Sequence, residues 1–202
     1  MRTSQKIYLP FKRFLGILGS LIGITLSAAL FWWWIIPINA IVTGGHPFFA
    51  QKRLGKSEKI FKIIKFRSMK MSVNPYVGQN EMNESSQQAM ETKFGSFLRK
   101  TSLDETPQLV NVLIGQMAFI GPRPCMAKND EELVEDRRAY SPNAYDVRPG
   151  LSGYAQMKMN RDPDPAKKAL YDHEYVAKLS FWFDFKIFWW TIFKIFGLAK
   201  GR

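Results

Sequence analysis

The hydrophobic pattern divides the chain into a long apolar opening, a polar and basic middle, and an aromatic close. From Phe14 to Ala50 there is no Asp, Glu, Lys or Arg, and the densest apolar run covers Phe14 to Val42. A bilayer core takes about 20 apolar residues as a helix, so this run is long enough to enter one. It exceeds the roughly 7–15 residue core of a signal peptide and has no clear small-residue cleavage site, so it reads as a retained membrane element. Both flanks are basic. Arg2, Lys6, Lys12 and Arg13 precede it, and Lys52, Arg53, Lys56, Lys59, Lys62, Lys65 and Arg67 follow. Positive flanks favour the cytoplasmic side, so a helix that enters, bends and returns is expected; the alternative is a straight anchor with unequal charge bias. Pro37 lacks a backbone donor and disturbs the carbonyl of Trp33, which suits a bend, and Gly16, Gly19 and Gly23 add local freedom. The expected division is a basic segment over 1–13, a re-entrant membrane helix over 14–43 and a cytoplasmic domain over 44–202.

Beyond the apolar run, Ile60, Phe61, Ile63, Ile64 and Phe66, interrupted by Lys62 and Lys65, predict a strand in a hairpin. Leu54-Gly55-Lys56-Ser57 is its expected turn. The Asn-, Gln- and Ser-rich stretch Ser72–Glu91 is expected to be a mobile loop. Ser102 and Glu105 have the spacing of a capping box, with Pro107 in the first turn and Leu103, Val110, Leu113 and Ile114 as the apolar face. Asp104 then lies near a helix N-terminus, a place that favours anions, although acidic residues are common there simply as caps. Over 181–197, FWFDFKIFWWTIFKIFG predicts an interfacial helix with Asp184, Thr191 and Lys194 toward one side and aromatics over the rest.

Composition sharpens this picture. Sixteen Phe, seven Tyr and six Trp give 14% aromatics, in keeping with a membrane interface. The net charge of +12 predicts anionic partners. One cysteine, Cys125, excludes an intrachain disulfide, and two distant histidines, His46 and His173, argue against a Cys/His zinc site. Gly121-Pro122-Arg123-Pro124 and Asp146-Val147-Arg148-Pro149-Gly150 each present an arginine beside prolines. Such turns commonly carry a solvated charge; together with Arg99 they could instead grip phosphate oxygens.

Several segments in order resemble the bacterial sugar transferases, the monotopic phosphoglycosyl transferases: PFFAQKRLG, FKIIKFRSM, FGSFLRKTSLDETPQLVNVLIGQMAFIGPRP, DVRPGLSGYAQ and YDHEYVAKLSFWFDFKI. The likeness runs from about Lys12 to about Phe193. It implies an α-rich α/β fold with a re-entrant helix-break-helix element, and a small catalytic domain on the cytoplasmic face of the bacterial inner membrane. That domain would carry a short β-hairpin and amphipathic membrane-interface helices. The resemblance further implies transfer of a sugar 1-phosphate from a UDP-sugar to polyprenyl (undecaprenyl) phosphate, with release of UMP. The reaction would be ping-pong, the first membrane step of capsule, exopolysaccharide or other glycoconjugate assembly. It assigns Asp104 as nucleophile and Glu105 as a ligand of Mg²⁺. Lys65, Arg99, Arg123 and Arg148 match basic positions that contact substrate phosphate, and Asp172 matches a further acidic position of that substrate-binding set. Two positions depart from the family pattern: Ser27-Ala28-Ala29 stands where a Ser-Pro pair usually bends the helix, and Gly16 where an acidic residue is frequent. An Asp beside arginines and Mg²⁺ is expected to stay ionised. Nucleic acid is not an expected partner. The rival is a non-catalytic, membrane-anchored basic protein that binds nucleic acid or an anionic polymer, which explains the charge but not the joint presence of TSLDE, GPRP and DVRPG.

Overall fold

The computed structural model describes residues 2–72, 90–126, 130–159 and 164–195. Most of the polar stretch Ser72–Glu91, and the last two residues of the expected 181–197 helix, lie outside the described residues.

The apolar opening is helical from end to end. Helix α1 (Thr3–Ser27) passes through a π-helical segment (Ala28–Trp32) into α2 (Trp33–Val42), a run of 40 residues apolar enough to cross a membrane by length and composition. One side carries exposed apolar residues such as Phe14, Leu18, Ile22, Leu26, Leu30 and Trp33. The other side is fastened to the rest of the chain along nearly its full length. Gln5 donates to the carbonyls of Val176 and Ala177 at 2.9 and 3.0 Å. Arg13 donates to the carbonyls of Val112 and Leu113, adding side-chain partners to the last turn of the short helix Gln108–Leu113. The Trp32 indole donates to Thr106 Oγ1 at 3.0 Å, and Asn39 donates to the Pro47 carbonyl at 2.7 Å. Gly19 and Gly23 let the helix come close: an added Cβ would stand 2.9 Å from Phe119 and 3.0 Å from Leu109 respectively.

The π segment has a geometric task. Ser20 and Ser27 are buried seven residues apart, but the next buried position, Ile35, is eight further on, followed by Asn39. At about 100° per residue, a regular helix would turn Ile35 about 80° away from the docked side. The wider π turn takes up one residue and brings Ile35, Asn39 and Trp32 back onto the domain. The irregularity falls on Ala28–Trp32, next to the Ser27-Ala28-Ala29 stretch, and Pro37 lies inside α2 rather than at the change of helix type. The expected break is therefore a π segment within a continuous helix.

Strands β1 (Phe48–Leu54) and β2 (Ile60–Phe66) form the expected antiparallel hairpin, in register from Phe48–Phe66 to Leu54–Ile60. Helix α3 (Lys93–Lys100), whose N-terminus is capped by Thr92, leads to a tight turn at Leu103–Glu105 and then to α4 (Gln108–Leu113). Strand β3 (Ala118–Ile120) pairs in parallel with β4 (Gly150–Ser152), with α5 (Glu131–Arg138) between them in sequence. The chain ends in α6 (Tyr154–Met159), α7 (Pro165–Ala177) and α8 (Phe181–Ile195). The result is the expected helix-rich α/β fold with very little sheet. The Ile35–Phe66–Leu98 core joins α2, the hairpin and α3, while Ile120, Tyr175, Val176 and Ile187 join β3, α7 and α8.

Helix α8 has the division expected of it. Trp182, Phe185, Phe188, Trp189 and Phe193 are exposed, whereas Asp184 is buried and Thr191 lies 2.6 Å from Ser152 Oγ. Asp184 anchors a polar knot. It takes Lys12 at 2.6 Å and the hydroxyls of Tyr8 and Tyr175 at 2.7 Å each, and the Tyr175 hydroxyl also reaches the Ile120 carbonyl at 3.2 Å. Removing the cation alone leaves a largely buried carboxylate underpaired. Lys12→Met should therefore destabilise the protein by about 3 kcal/mol. Lys12→Met combined with Asp184→Leu should recover most of that loss in detergent-solubilised thermal unfolding.

Candidate active site

The site is built around the turn Leu103–Glu105. Ser102, just before it, adopts a left-handed conformation (φ 57°) and its side chain caps nothing. The expected capping box is therefore absent, because the Glu105 side chain is committed elsewhere. Lys65 donates to Glu105 Oε1 at 2.6 Å, and Arg123 reaches the same oxygen at 3.2 Å. Pro107 immediately precedes α4, as its missing N–H allows. The buried face of α4 is also not the expected one. Gln108, Asn111 and Val112 are buried, and Ile114 is exposed. Asn111 accounts for this. Its Oδ1 accepts from Ile64 N at 3.1 Å, and its Nδ2 donates to the Lys62 carbonyl at 2.8 Å and to Gln116 at 2.7 Å. The asparagine bolts β2 to α4 and so fixes Lys65 against Glu105.

The neighbouring acids have opposite environments. Burial pushes Glu105 up, but Arg123 and Lys65 outweigh it and hold its carboxyl down at about 2. Burial dominates at Asp104 and lifts it to about 6, with Glu105 adding to the lift and Lys65, Arg99 and Arg123 opposing it. The arginines thus do not set the direction as expected, yet Asp104 remains mostly ionised at neutral pH. Burial likewise lowers Lys65, against the pull of Glu105. Among the described residues, no recorded hydrogen bond engages the Asp104 carboxylate. One acid is held by cations; the other is buried beside the cavity that Glu105 lines. Arg99 lies within electrostatic reach of Asp104 and pairs with Glu91 at 2.5 Å.

The two arginine-proline motifs meet in space but have different tasks. Ala118 N donates to the Pro149 carbonyl at 2.8 Å, Gly121 N to that of Ser152 at 2.9 Å, and Gly150 N to that of Pro122 at 2.9 Å. Neither Gly121 nor Gly150 can be enlarged, since an added Cβ would meet the facing backbone at 2.5 and 2.1 Å. The second motif is the bed on which the first lies. Arg148 itself points away, donating to the Gly115 carbonyl at 2.7 Å beside Arg13, and does not join the phosphate-contacting set expected of it. Asp172 also differs from expectation. It is buried in α7 and takes Arg137 in a short two-pronged pair, with Arg137 Nε at 2.9 Å. Arg137 Nη2 then donates to the Arg123 carbonyl at 3.0 Å. Asp172 therefore acts through Arg137 on the backbone that carries Arg123.

A groove of about 730 Å³ adjoins the turn, walled by Arg99, Lys100, Ser102 and Glu105 on one side and by Ser152, Gln156, Trp190 and Thr191 on the other. Among the described residues no three His, Cys, Asp or Glu side chains cluster to hold a metal. Mg²⁺ needs no such cage, since it takes one or two carboxylates and completes its shell with phosphate oxygens and water. Both cationic contacts of Glu105 fall on Oε1, which leaves Oε2 for such a role.

The pattern of the bacterial sugar transferases matches residues 7–197, nearly the whole of this basic, aromatic-ended chain. The chain belongs to the bacterial sugar transferase family. Among similar family members is the UDP-glucose:undecaprenyl-phosphate glucose-1-phosphate transferase of Escherichia coli K12. It is 39% identical over 158 residues, covering 75% of this chain and 33% of that protein. Galactosyl transferase CpsE of Streptococcus agalactiae is 31% identical over 210 residues, covering 100% of this chain and 45% of its own length. The UDP-N-acetylgalactosamine-undecaprenyl-phosphate N-acetylgalactosaminephosphotransferase of Aeromonas hydrophila is 34% identical, covering 92% and 44%. The chain thus spans between a third and just under half the length of these relatives.

Four residues of this sugar transferase site escape a reading of motifs: Glu91, Asn111, Arg137 and Trp32. Asn111 leaves a trace, as an amide inside the apolar run LVNVLI. Arg137 leaves none, because the helix EELVEDRR looks solvent-facing throughout. Asp172→Ala would strand the Arg137 cation in the core. It should cost about 3–5 kcal/mol in thermal or denaturant unfolding and weaken donor turnover by loosening Arg123. Joint replacement of Asp172 and Arg137 by Leu and Met should restore stability but not turnover.

Proposed function

We propose that this chain transfers a sugar 1-phosphate from a UDP-sugar to undecaprenyl phosphate, releasing UMP, with Asp104 as nucleophile. The reading rests on one observation above the rest: Asp104 is buried and accepts no hydrogen bond from the described residues, next to a Glu105 fixed by Lys65 and Arg123. The names of its relatives support the substrate classes, and they differ among glucose, galactose and N-acetylgalactosamine, so the sugar stays unassigned.

In the proposed reaction an Asp104 oxygen attacks the phosphorus that bears the sugar. The bond from that phosphorus to the UMP oxygen breaks, UMP leaves, and the phosphosugar stays on Asp104 as an acyl phosphate. A phosphate oxygen of undecaprenyl phosphate then attacks the same phosphorus and the carboxylate departs, restored. Covalent catalysis lets a soluble donor and a lipid acceptor use one site in turn. A pKa raised by burial makes the carboxylate more basic, and so more nucleophilic, while leaving it charged at neutral pH. Arg123, Arg99 and Lys65 offset repulsion between the carboxylate and the diphosphate. Glu105 would hold Mg²⁺ together with substrate oxygens, and the ion would supply further charge neutralisation.

The docked helix supports one membrane arrangement. A helix bound to one domain at Gln5, Arg13, Trp32 and Asn39 cannot place that domain on one side and its own N-terminal end on the other. We therefore infer a monotopic, re-entrant seating on the cytoplasmic face. The exposed sides of α1, α2 and α8 would lie in lipid. The rival reading, a basic binding protein, gives no reason for an unbonded acid in a cationic turn.

Three outcomes are expected. Asp104→Asn abolishes UMP release and covalent labelling by a radiolabelled UDP-sugar, whereas a retained burst of UMP would refute this nucleophile. EDTA stops turnover and Mg²⁺ restores it; full activity in chelator would remove the metal from the mechanism. Cysteines placed at Lys6 and Lys52, in a Cys125→Ser background, react only with reagent on the cytoplasmic side, and labelling of position 6 from outside would make the helix a span.

A further inference from the structure

Two cavities of opposite character share a wall. The first is the polar groove beside the catalytic turn, with Arg99, Lys100 and Glu105. The second, about 370 Å³, lies between α1 and α8 and is almost wholly apolar, bounded by Leu15, Gly16 and Gly19 on α1 and by Phe181 and Phe185 on α8. Phe119, Ile120 and Phe188 line both, so the two cavities adjoin along that wall, one beside the charged turn and the other on the exposed apolar side. Its outer rim is apolar: Leu15, Phe181, Phe185 and Phe188 are all exposed. The floor exists because α1 has glycine at two positions one turn apart. An added Cβ at Gly16 would find nothing nearer than Val112 at 3.8 Å, so the space there is not taken up by packing. The inner end is closed by the Lys12–Asp184–Tyr175 knot, whose charges pair with one another and offer nothing to an anion.

We propose that this apolar groove seats the head-proximal isoprene units of the lipid acceptor, with its phosphate in the adjoining polar cavity beside Glu105. The proposal rests on the reading of the chain as a transferase to a polyprenyl phosphate. A ligand with an anionic head and a hydrocarbon tail is the one chemistry that fits both halves at once. The cationic rim of Arg99 and Lys100 complements the head, and the aromatic and glycine walls complement an unbranched chain bearing methyl groups. The size admits only the first few units, and the remainder of the chain stays in the bilayer. The groove thus fixes the direction from which the acceptor phosphate approaches Asp104. It is also a route to acceptor selectivity separate from donor recognition.

The test uses the full chain in detergent micelles at fixed acceptor surface concentration. Gly16→Leu fills the groove and Phe185→Ala removes a wall. Each should lower kcat/KM for undecaprenyl phosphate by about tenfold, the scale of losing contact with one or two methylene groups. Each should leave the burst of UMP from the donor alone within about twofold, well below the factor that one kcal/mol would give. Trp182→Ala, on the same helix but outside both cavities, should leave the acceptor constants unchanged. A polyprenyl phosphate carrying a diazirine in its first units should label α1 and α8, and undecaprenyl phosphate should compete while phosphatidylglycerol does not. Unchanged acceptor constants in both variants would overturn the proposal, as would labelling that phosphatidylglycerol displaces equally well, which would make the groove a seat for bulk lipid. If no UDP-sugar gives a UMP burst with the native chain, the functional reading falls, while the labelling still scores the groove.

Discussion

The pairing of Lys12 with Asp184 joins two helices that each carry an exposed apolar side. Lys12 lies on the long apolar helix and Asp184 on the aromatic C-terminal one, and the two tyrosines that share the carboxylate belong to α1 and α7. A charge on a membrane-facing helix is tolerable only where it turns inward and finds a partner. Here the requirement becomes an alignment device. Because the same Tyr175 hydroxyl touches the Ile120 carbonyl, the knot also sets β3, and β3 leads directly into the loop that carries Arg123. The mutual setting of α1 and α8 and the position of Arg123 are thus fixed by one cluster.

The turn at Leu103–Glu105 sets contrasting neighbours side by side. Glu105 is immobilised by two cations, while Asp104, one residue away, has burial in place of partners. Consecutive residues in a tight turn point in different directions, so a single short element can hold one acid against the cationic wall and bury the other. The left-handed Ser102 begins that turn, and Trp32 steadies its far side through Thr106. The long apolar helix is therefore part of the architecture of that turn, since its Trp32 indole contacts the residue next to Glu105.

Much of this was legible in the sequence. The hairpin, the aromatic helix with its inward Asp184 and Thr191, and the membrane element follow from periodicity and charge, because each buries one face against a single neighbour. The grouping of Lys65, Glu105 and Arg123 followed only from the family likeness. Arg148, Asp172 and the capping box were misplaced for a common reason. A charged residue in a motif can be a structural bolt as readily as a ligand, and the difference lies in partners far away in sequence. Arg148 found Gly115, Asp172 found Arg137, and Glu105 left Ser102 for Lys65. The buried face of α4 was unreadable because Asn111 is buried for its hydrogen bonds and not for its hydrophobicity.

The π segment at Ala28–Trp32 carries a meaning for how such a helix can change over time. A single inserted codon is the smallest length change a helix gene can suffer, and in a regular helix it would swing every later side chain by about 100°. Ile35 and Asn39 would then face lipid, and the indole would leave the catalytic turn. Absorbing the surplus residue locally lets the two halves of the helix keep a common docked side while their separation in sequence drifts. A comparison of this chain with a relative whose helix is regular should therefore open a one-residue gap at this stretch, and a hydrophobicity profile, blind to phase, would pass over it.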